Sequence, residues 1–264
     1  MSQAASGIPP RADGLPTVSV VIPALNEAAI LGRCLEALRA CPQPPDEILV
    51  VDNGSTDGTA DIARAFDGVR VLEETRPGIT FARRSGFDAA QGDVIARIDA
   101  DSVVSPWWVD EIRITFGNRP EIDGVAGNAA IVELSPRGRF WGRWWYRGFR
   151  AWHERSIGVS PMLYGFNSAF RREAWLESRH LTALGDLQVS DDVDVTIALL
   201  RTGKRLVFAP RLVVSARLFR SVDSGKLKRY YRSDGLTLAR HGYGNPKRWI
   251  VDDTELPAED ARAD

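Results

Sequence analysis

Asp99 and Asp101, in RIDADSVVSP, are two carboxylates separated by one small residue at the end of an apolar run. A carboxylate is costly to desolvate, so two of them at the end of a buried strand need a reason. Oxygen donors suit hard divalent cations such as Mg2+ or Mn2+, which also bind substrate phosphates. The plainer reading is a solvated strand end, with a new helix starting over 102–106. A second acidic group is Asp191, Asp192 and Asp194 in SDDVD. Ser190 as N-cap and acids complementing the helix dipole explain one or two of these carboxylates. They do not explain three neighbours that repel one another. PALNE (23–27) and DNGSTD (52–57) add short polar side chains at strand-to-helix turns, although turns are made of such residues anyway.

These groups need elements to hold them. TVSVVIPALNE contains an apolar run, Val18 to Ile22, interrupted only by Ser19, of the kind a parallel strand buried on both faces requires. Asn26 is placed to cap the following helix, which Pro42 closes. DEILVVD, VRVLEE and DVIARIDAD read as three further strands. ADIARAF and GITFARRSGFDAAQG read as the helices between them. Strand and helix alternate four times, which argues for a doubly wound, mostly parallel α/β sheet. The polar clusters sit at the carboxyl ends of the strands, where such sheets bind ligands. After Trp107 the rhythm changes. IDGVAGNAAIVEL is one or two strands, RGRFWGRWWYRGFRAWHERS a helix, and MLYGFNSAFRREAW a strand leading into a helix. VSDDVDVTIALLRTGKRLVFAP is a capped helix, a glycine stop and a strand.

Composition excludes several classes. The chain has 264 residues and a formal net charge of −1, so it lacks the basic signature of a nucleic-acid binder. No apolar stretch is long enough to span a bilayer as a helix. There is no G-x-G-x-x-G after the first strand and no G-x-x-x-x-G-K-[ST], which disfavours a dinucleotide fold and a P-loop. Cys34 and Cys41 on one helix would lie roughly 10 Å apart, too far for a disulfide. They read as reduced packing residues of a cytoplasmic protein. The expected organisation is a flexible leader over 1–16, one domain over 17–250 and an acidic, disordered tail over 251–264. Within the domain, the change of rhythm divides 17–104 from 105–250.

In combination, VSVVIPALNE, ILVVDNGSTDGT, ARRSGFDAAQGDVIARIDAD, GFNSAFRR and SDDVDVTIALLRTGKRLVFAP resemble family 2 glycosyltransferases of the GT-A fold. The resemblance covers roughly 17–215 and implies a nucleotide half over 17–104 and an acceptor half over 105–250. It implies that Pro23, Ala24, Asn26, Glu27 and Asp52 hold a nucleotide. It implies a base contact at position 53, often a second Asp but here Asn53, and a nucleotide-sugar role for Arg83. Asp99 would lie near the ribose and Asp101 would meet Mg2+ or Mn2+ and the diphosphate. Gly165, Asn167 and Phe170 would serve the donor sugar and acceptor. Asp192 takes the position of the general base and Asp191 that of its acidic neighbour, with the helix dipole keeping Asp192 ionised.

On a helix at 100° per residue, Trp141, Trp145 and Trp152 share one side with Trp144 at their flank. Arg139, Arg143, Arg147 and Arg150 cluster opposite. Either the aromatic face packs on the sheet, or 140–152 lies at a membrane with arginines at headgroups. The expected activity is inverting transfer of a sugar from a nucleotide-diphosphate sugar to an acceptor hydroxyl. The acceptor would be a saccharide or a lipid-linked group, in cell-envelope polysaccharide or glycolipid synthesis. The expected location is cytoplasmic, possible also on the inner membrane face. Two alternatives are a polyprenyl-phosphate sugar synthase and a catalytically silent nucleotide-sugar-binding protein.

Overall fold

The structure is a computed structural model describing residues 8–131, 138–185, 188–216 and 224–243. Strand β1 (Val18–Ala24) is apolar apart from Ser19 because both faces of its sheet are covered. Val18, Val20 and Ile22 enter one core cluster, while Val21 enters the other. Helix α1 (Ala28–Arg39) buries Leu31, Cys34, Leu35 and Leu38 at helical spacing. There follow β2 (Glu47–Asp52), α2 (Thr59–Arg64), β3 (Val69–Glu73), α3 (Ile79–Ala89) and β4 (Val94–Arg97). Helix α3 lies close on the sheet: a Cβ at Gly86 would stand 2.4 Å from Val21 Cγ1. Beyond these come β5 (Val103–Val104), α4 (Trp108–Asn118), β6 (Gly124–Ile131) and α5 (Gly138–Ile157). The chain continues through β7 (Ser168–Arg171), α6 (Arg172–Ser178), α7 (Asp191–Arg201), β8 (Leu206–Ala216) and α8 (Ser224–Arg240).

The strands form one eight-stranded sheet in the order β3-β2-β1-β4-β7-β6-β8-β5. The first four are mutually parallel, as expected. Strand order reverses between β1 and β4, which opens the crevice where such sheets bind ligands. Strand β7 runs antiparallel to β4 with Ser168 opposite Arg97. The segment entering β7 therefore lies beside the chain leaving β4. This antiparallel pairing brings Gly165, just before β7, against Arg97 at the end of β4.

Several expectations need correction. Strand β4 stops at Arg97, so Asp99 and Asp101 occupy a turn. The short strand β5 follows, and the next helix starts only at Trp108. Asn26 does not cap α1, whose N-terminal residue makes no side-chain cap bond. The Ala28 N–H is met instead by Asp57 Oδ2 at 3.0 Å, across from the neighbouring loop. Ser190 likewise makes no side-chain cap for α7. Residues 8–16 are fastened rather than free: Arg11 binds Asp13, Gln43 and Asp46. Helix α8 was not foreseen from the sequence. Cys34 and Cys41 are buried free thiols, as expected. The acidic tail at 251–264 lies outside the described residues.

Candidate active site

The loops after β1 and β2 are latched together. Asn26, held at φ 54°, accepts the Thr56 N–H at 2.9 Å. Asn tolerates this left-handed conformation better than most residues. The Asn26 N–H donates to Ser55 Oγ at 3.0 Å and the Glu27 N–H to Thr59 Oγ1 at 2.9 Å. With Ala28 bonded to Asp57, the N–H groups at residues 26–28 are committed. The start of α1 therefore offers few donors to a phosphate, and charge neutralisation must come from elsewhere. Beside the latch, Pro23 and Ala24 end β1 opposite Val51 and Asp52. Asp52 is buried at 7% exposure, and its Oδ1 has no hydrogen-bond partner. A buried acceptor left unpaired marks a place for a ligand donor.

Asp99 and Asp101 lie next to this latch in a strongly acidic neighbourhood. Burial in the cleft pushes the Asp99 carboxyl up to about 6; Arg97 opposes this, while Asp101, Asp191 and Glu27 add to it. The Asp99 side chain keeps 49% accessibility, so solvent softens that shift. Among the described residues no three His, Cys, Asp or Glu side chains converge as a ready metal site. One or two hard carboxylates with substrate phosphates completing the shell are what Mg2+ or Mn2+ accepts. Acids in excess over the one guanidinium here fit that cation.

Arg97 is the centre of the site and was missed from the sequence. It is 5% exposed, and its guanidinium reaches Asp191 Oδ2, Asp192 Oδ1 at 3.2 Å and Asp99 Oδ1 at 3.9 Å. Burial opposes its charge, but Asp191, Asp192 and Asp99 outweigh this and raise its pKa. Gly165 lets the cluster close. A Cβ there would stand 2.4 Å from Arg97 Cζ and 2.6 Å from Asp192 Oδ1. The Gly165 backbone N–H also favours the ionised form of Asp192. The Asp192 carboxyl is pushed up, to about 7, first by burial and then by Asp191. Arg97 and the Gly165 N–H only partly offset this. The expected fully ionised Asp192 is thus corrected: a nearby like charge and lost water outweigh the helix dipole.

Four expected ligand residues are committed elsewhere. Asn53 donates to the carbonyls of Glu74 and Arg76 and accepts the Gly78 N–H. It holds the loop between β3 and α3. Arg83 is fully buried, paired with Asp194 at 3.1 Å and bonded to the Asp191 and Ala183 carbonyls. Asn167, 1% exposed, donates to the Asn128 and Leu212 carbonyls and accepts the Trp108 indole N–H. Phe170 packs edge-on against Phe87 in the core. Each of the four shapes the framework rather than lining the cleft. Asp194 answers the question of the third acid. Burial would raise its pKa, but His241, Arg83 and the Ala183 N–H hold it below the usual carboxylate range.

The Trp/Arg helix splits differently from expectation. Its inward face presents Tyr146 and His153, whereas Trp152 is 53% exposed. Arg147 is exposed, but Arg150 turns in, its guanidinium 3.6 Å over the Phe208 ring and 3.3 Å from Glu154. The side chains of Arg139, Trp141, Arg143, Trp144 and Trp145 lie outside the described residues.

A crevice at a strand-order switch, lined by the acids after β4 and at the start of α7, defines a GT-A fold glycosyltransferase. The chain belongs to glycosyl transferase family 2, whose family model matches residues 19–177. It is 38% identical over 125 residues to glycosyltransferase AglE of Haloferax volcanii, covering 45% of this chain and 41% of the relative. It is 25% identical over 202 residues to the glucosyl-dolichyl phosphate glucuronosyltransferase of the same organism, covering 70% and 63%. The chain thus spans less than two thirds of either relative. Its fold is similar to that of mannosyltransferase PcManGT from Pyrobaculum calidifontis, solved with GDP-Man and Mn2+. The TM-score is 0.62 at 22% identity, covering 90% of this chain and 66% of that one.

Proposed function

We propose that the chain transfers a sugar from a nucleotide-diphosphate sugar to an acceptor hydroxyl with inversion, Asp192 acting as general base. One observation carries this reading: Asp99 and Asp192 stand on opposite arms of one buried guanidinium, Arg97. A donor held beyond β1 and β2 would therefore have its reacting carbon near the Asp192 side. The unpaired Asp52 oxygen supports a nucleobase N–H at the donor end. Asn26 and Glu27 would shape the ribose and phosphate pocket through their latched backbone. Asp101, with Asp99 beside it, would hold Mg2+ or Mn2+. When bound there, such a cation supplies positive charge for the departing diphosphate.

Asp192 takes the proton of the acceptor hydroxyl as the new bond forms. Its raised pKa makes it a stronger base than an ordinary carboxylate. Asp191 keeps Arg97 in place. A single base facing the acceptor suits direct displacement, and hence inversion. A silent binding protein would have no use for a carboxylate kept at such a cost in desolvation.

A lipid-linked acceptor is favoured by the outer face of α5 and α8. Among the described side chains of the two helices, Arg147, Arg155, Arg229 and Arg240 are exposed, while the two acids, Glu154 and Asp234, are buried. Trp152 and Tyr230 are each 53% exposed, and Trp152 meets Tyr231 edge-on. Exposed aromatics among arginines suit an anionic headgroup layer. Among the described residues no helix is long and apolar enough to cross a membrane. The dolichyl phosphate in the name of one relative points the same way. This leaves the polyprenyl-phosphate sugar synthase as a second reading, with the phosphate itself as acceptor.

The test is a thermal-shift screen of UDP- and GDP-sugars with Mn2+, followed by transfer to polyprenyl phosphate and to polyprenyl-linked sugars. Metal-dependent stabilisation and transfer to a linked sugar hydroxyl are expected. Transfer only to the bare phosphate establishes the second reading. Stabilisation with no release of sugar to any acceptor or water establishes a silent binder.

A further inference from the structure

Two of the chain's three histidines are buried against aspartates, and both pairs fasten the same helix. His153 of α5 meets Asp234 of α8 at 3.0 Å. His241, just past α8, meets Asp194 of α7 at 2.8 Å. Thr237 of α8 accepts the Ser190 N–H at 2.9 Å, immediately before Asp191 and Asp192. Helix α8 is thereby tied to the first turn of α7 on one side and to α5 on the other.

The tie through α5 continues inward. The other His153 nitrogen, Nδ1, lies 2.9 Å from the Tyr164 hydroxyl, and Phe149 stacks flat on the imidazole. In the neutral ring, Nε2–H donates to the Asp234 carboxylate and Nδ1 accepts the Tyr164 O–H. All three side chains are buried. Tyr164 adjoins Gly165, whose α-carbon is packed against Arg97 and Asp192 with no room to spare. A displacement of Tyr164 is therefore felt at Asp192.

We infer that Asp234, His153 and Tyr164 are positioning residues which hold Gly165 against Asp192 and Arg97, so that α8 sets the readiness of the proton acceptor. None of the three touches substrate. The inference rests on the reading of Asp192 as the base. The other groups facing Asp192 are Asp191 of α7, Arg97 of β4, Asp99 after β4, and Tyr146 and Tyr164 on the α5 side. The Gly165 N–H stabilises the ionised carboxylate. Slackening it must raise the Asp192 pKa further, so that a larger share is protonated and inactive at neutral pH. A purely structural role for the relay would lower stability but leave this titration where it stands.

The experiment is a carbon-13 NMR titration of the full chain labelled at aspartate carboxyls. Asp192 is assigned by the resonance lost in Asp192→Asn. It is followed in wild type, Tyr164→Phe and Asp234→Asn, each checked for fold by circular dichroism. An Asp192 midpoint moved up by roughly half a unit or more in the folded variants is expected. The acid limb of donor consumption should move the same way, with recovery of rate at high pH and unchanged donor affinity. If either variant fails to fold, the other decides. An unchanged Asp192 midpoint in a folded variant overturns the inference. An ordinary carboxylate midpoint in the wild type would undo the base reading itself, and the inference with it.

Discussion

Arg97, at the end of β4, reaches Asp192, at the start of α7, across 3.2 Å, joining the first parallel strands to the C-terminal part of the chain. Its guanidinium also contacts Asp191 and, more distantly, Asp99. A buried ion cluster of this kind contributes little net stability over an apolar core, but breaking it leaves charges unpaired.

Replacing Arg97 with Met should therefore destabilise the protein by about 3 kcal/mol, the usual scale for orphaning a buried charge. Chemical denaturation measures this. The same variant should move the acid limb of turnover to higher pH, since Arg97 favours the ionised form of Asp192. A neutral effect on both would mean the cluster is solvated.

The pH dependence has a definite sign. The folded-state pKa of Asp192 is raised to about 7 from the ordinary aspartate value of 3.8. Between those values the folded state binds more protons than the unfolded one, so this group's contribution to stability falls as pH rises through the window. Turnover should rise over the same range as the base ionises. Asp192→Asn should raise the melting temperature above pH 7 by on the order of a few degrees. A melting temperature that drops at that pH would contradict the raised pKa.

Gly165→Ala adds one methyl where Arg97 and Asp192 leave no space. The clash should cost about 1–3 kcal/mol of stability. It should also reduce turnover by roughly 10-fold or more by misplacing the base. Nucleotide binding, measured by calorimetry, should hardly change because the donor loops are untouched. Equal losses in binding and turnover would place Gly165 in the donor pocket instead.

Asp101→Asn should weaken Mn2+-dependent binding of UDP or GDP while leaving the fold intact. The check is calorimetry with and without metal. If the variant binds nucleotide with the same metal dependence, Asp101 is not a metal ligand.

Strands β1, β2 and β4 were legible because, buried on both faces, they read as nearly unbroken apolar runs, such as Val18 to Ile22 interrupted only by Ser19. The cross-chain partners were not legible. Arg97 did leave a signal, a lone charge in the apolar stretch VIARI, but a sequence does not say which acids come to meet it. Asp194 left one too, as a third acid that capping did not explain. Its partners Arg83 and His241 lie 111 and 47 residues away. Asn53 and Asn167 look like ligand residues because an amide that satisfies backbone and one that meets a substrate are the same chemistry. Helix α8 carries two glycines and several polar residues, so its local preference is weak. Buried contacts to α5 and α7 hold it, and those exist only in the folded chain.

The most direct test is donor turnover by Asp192→Asn, measured beside donor affinity in the same preparation with Mn2+. The asparagine keeps the shape and removes the basicity. Donor affinity should be unchanged, and turnover should fall by roughly 10²-fold or more, the scale for losing a general base. Near-normal transfer by Asp192→Asn, with Asp191→Asn inactive, would show that the base is Asp191.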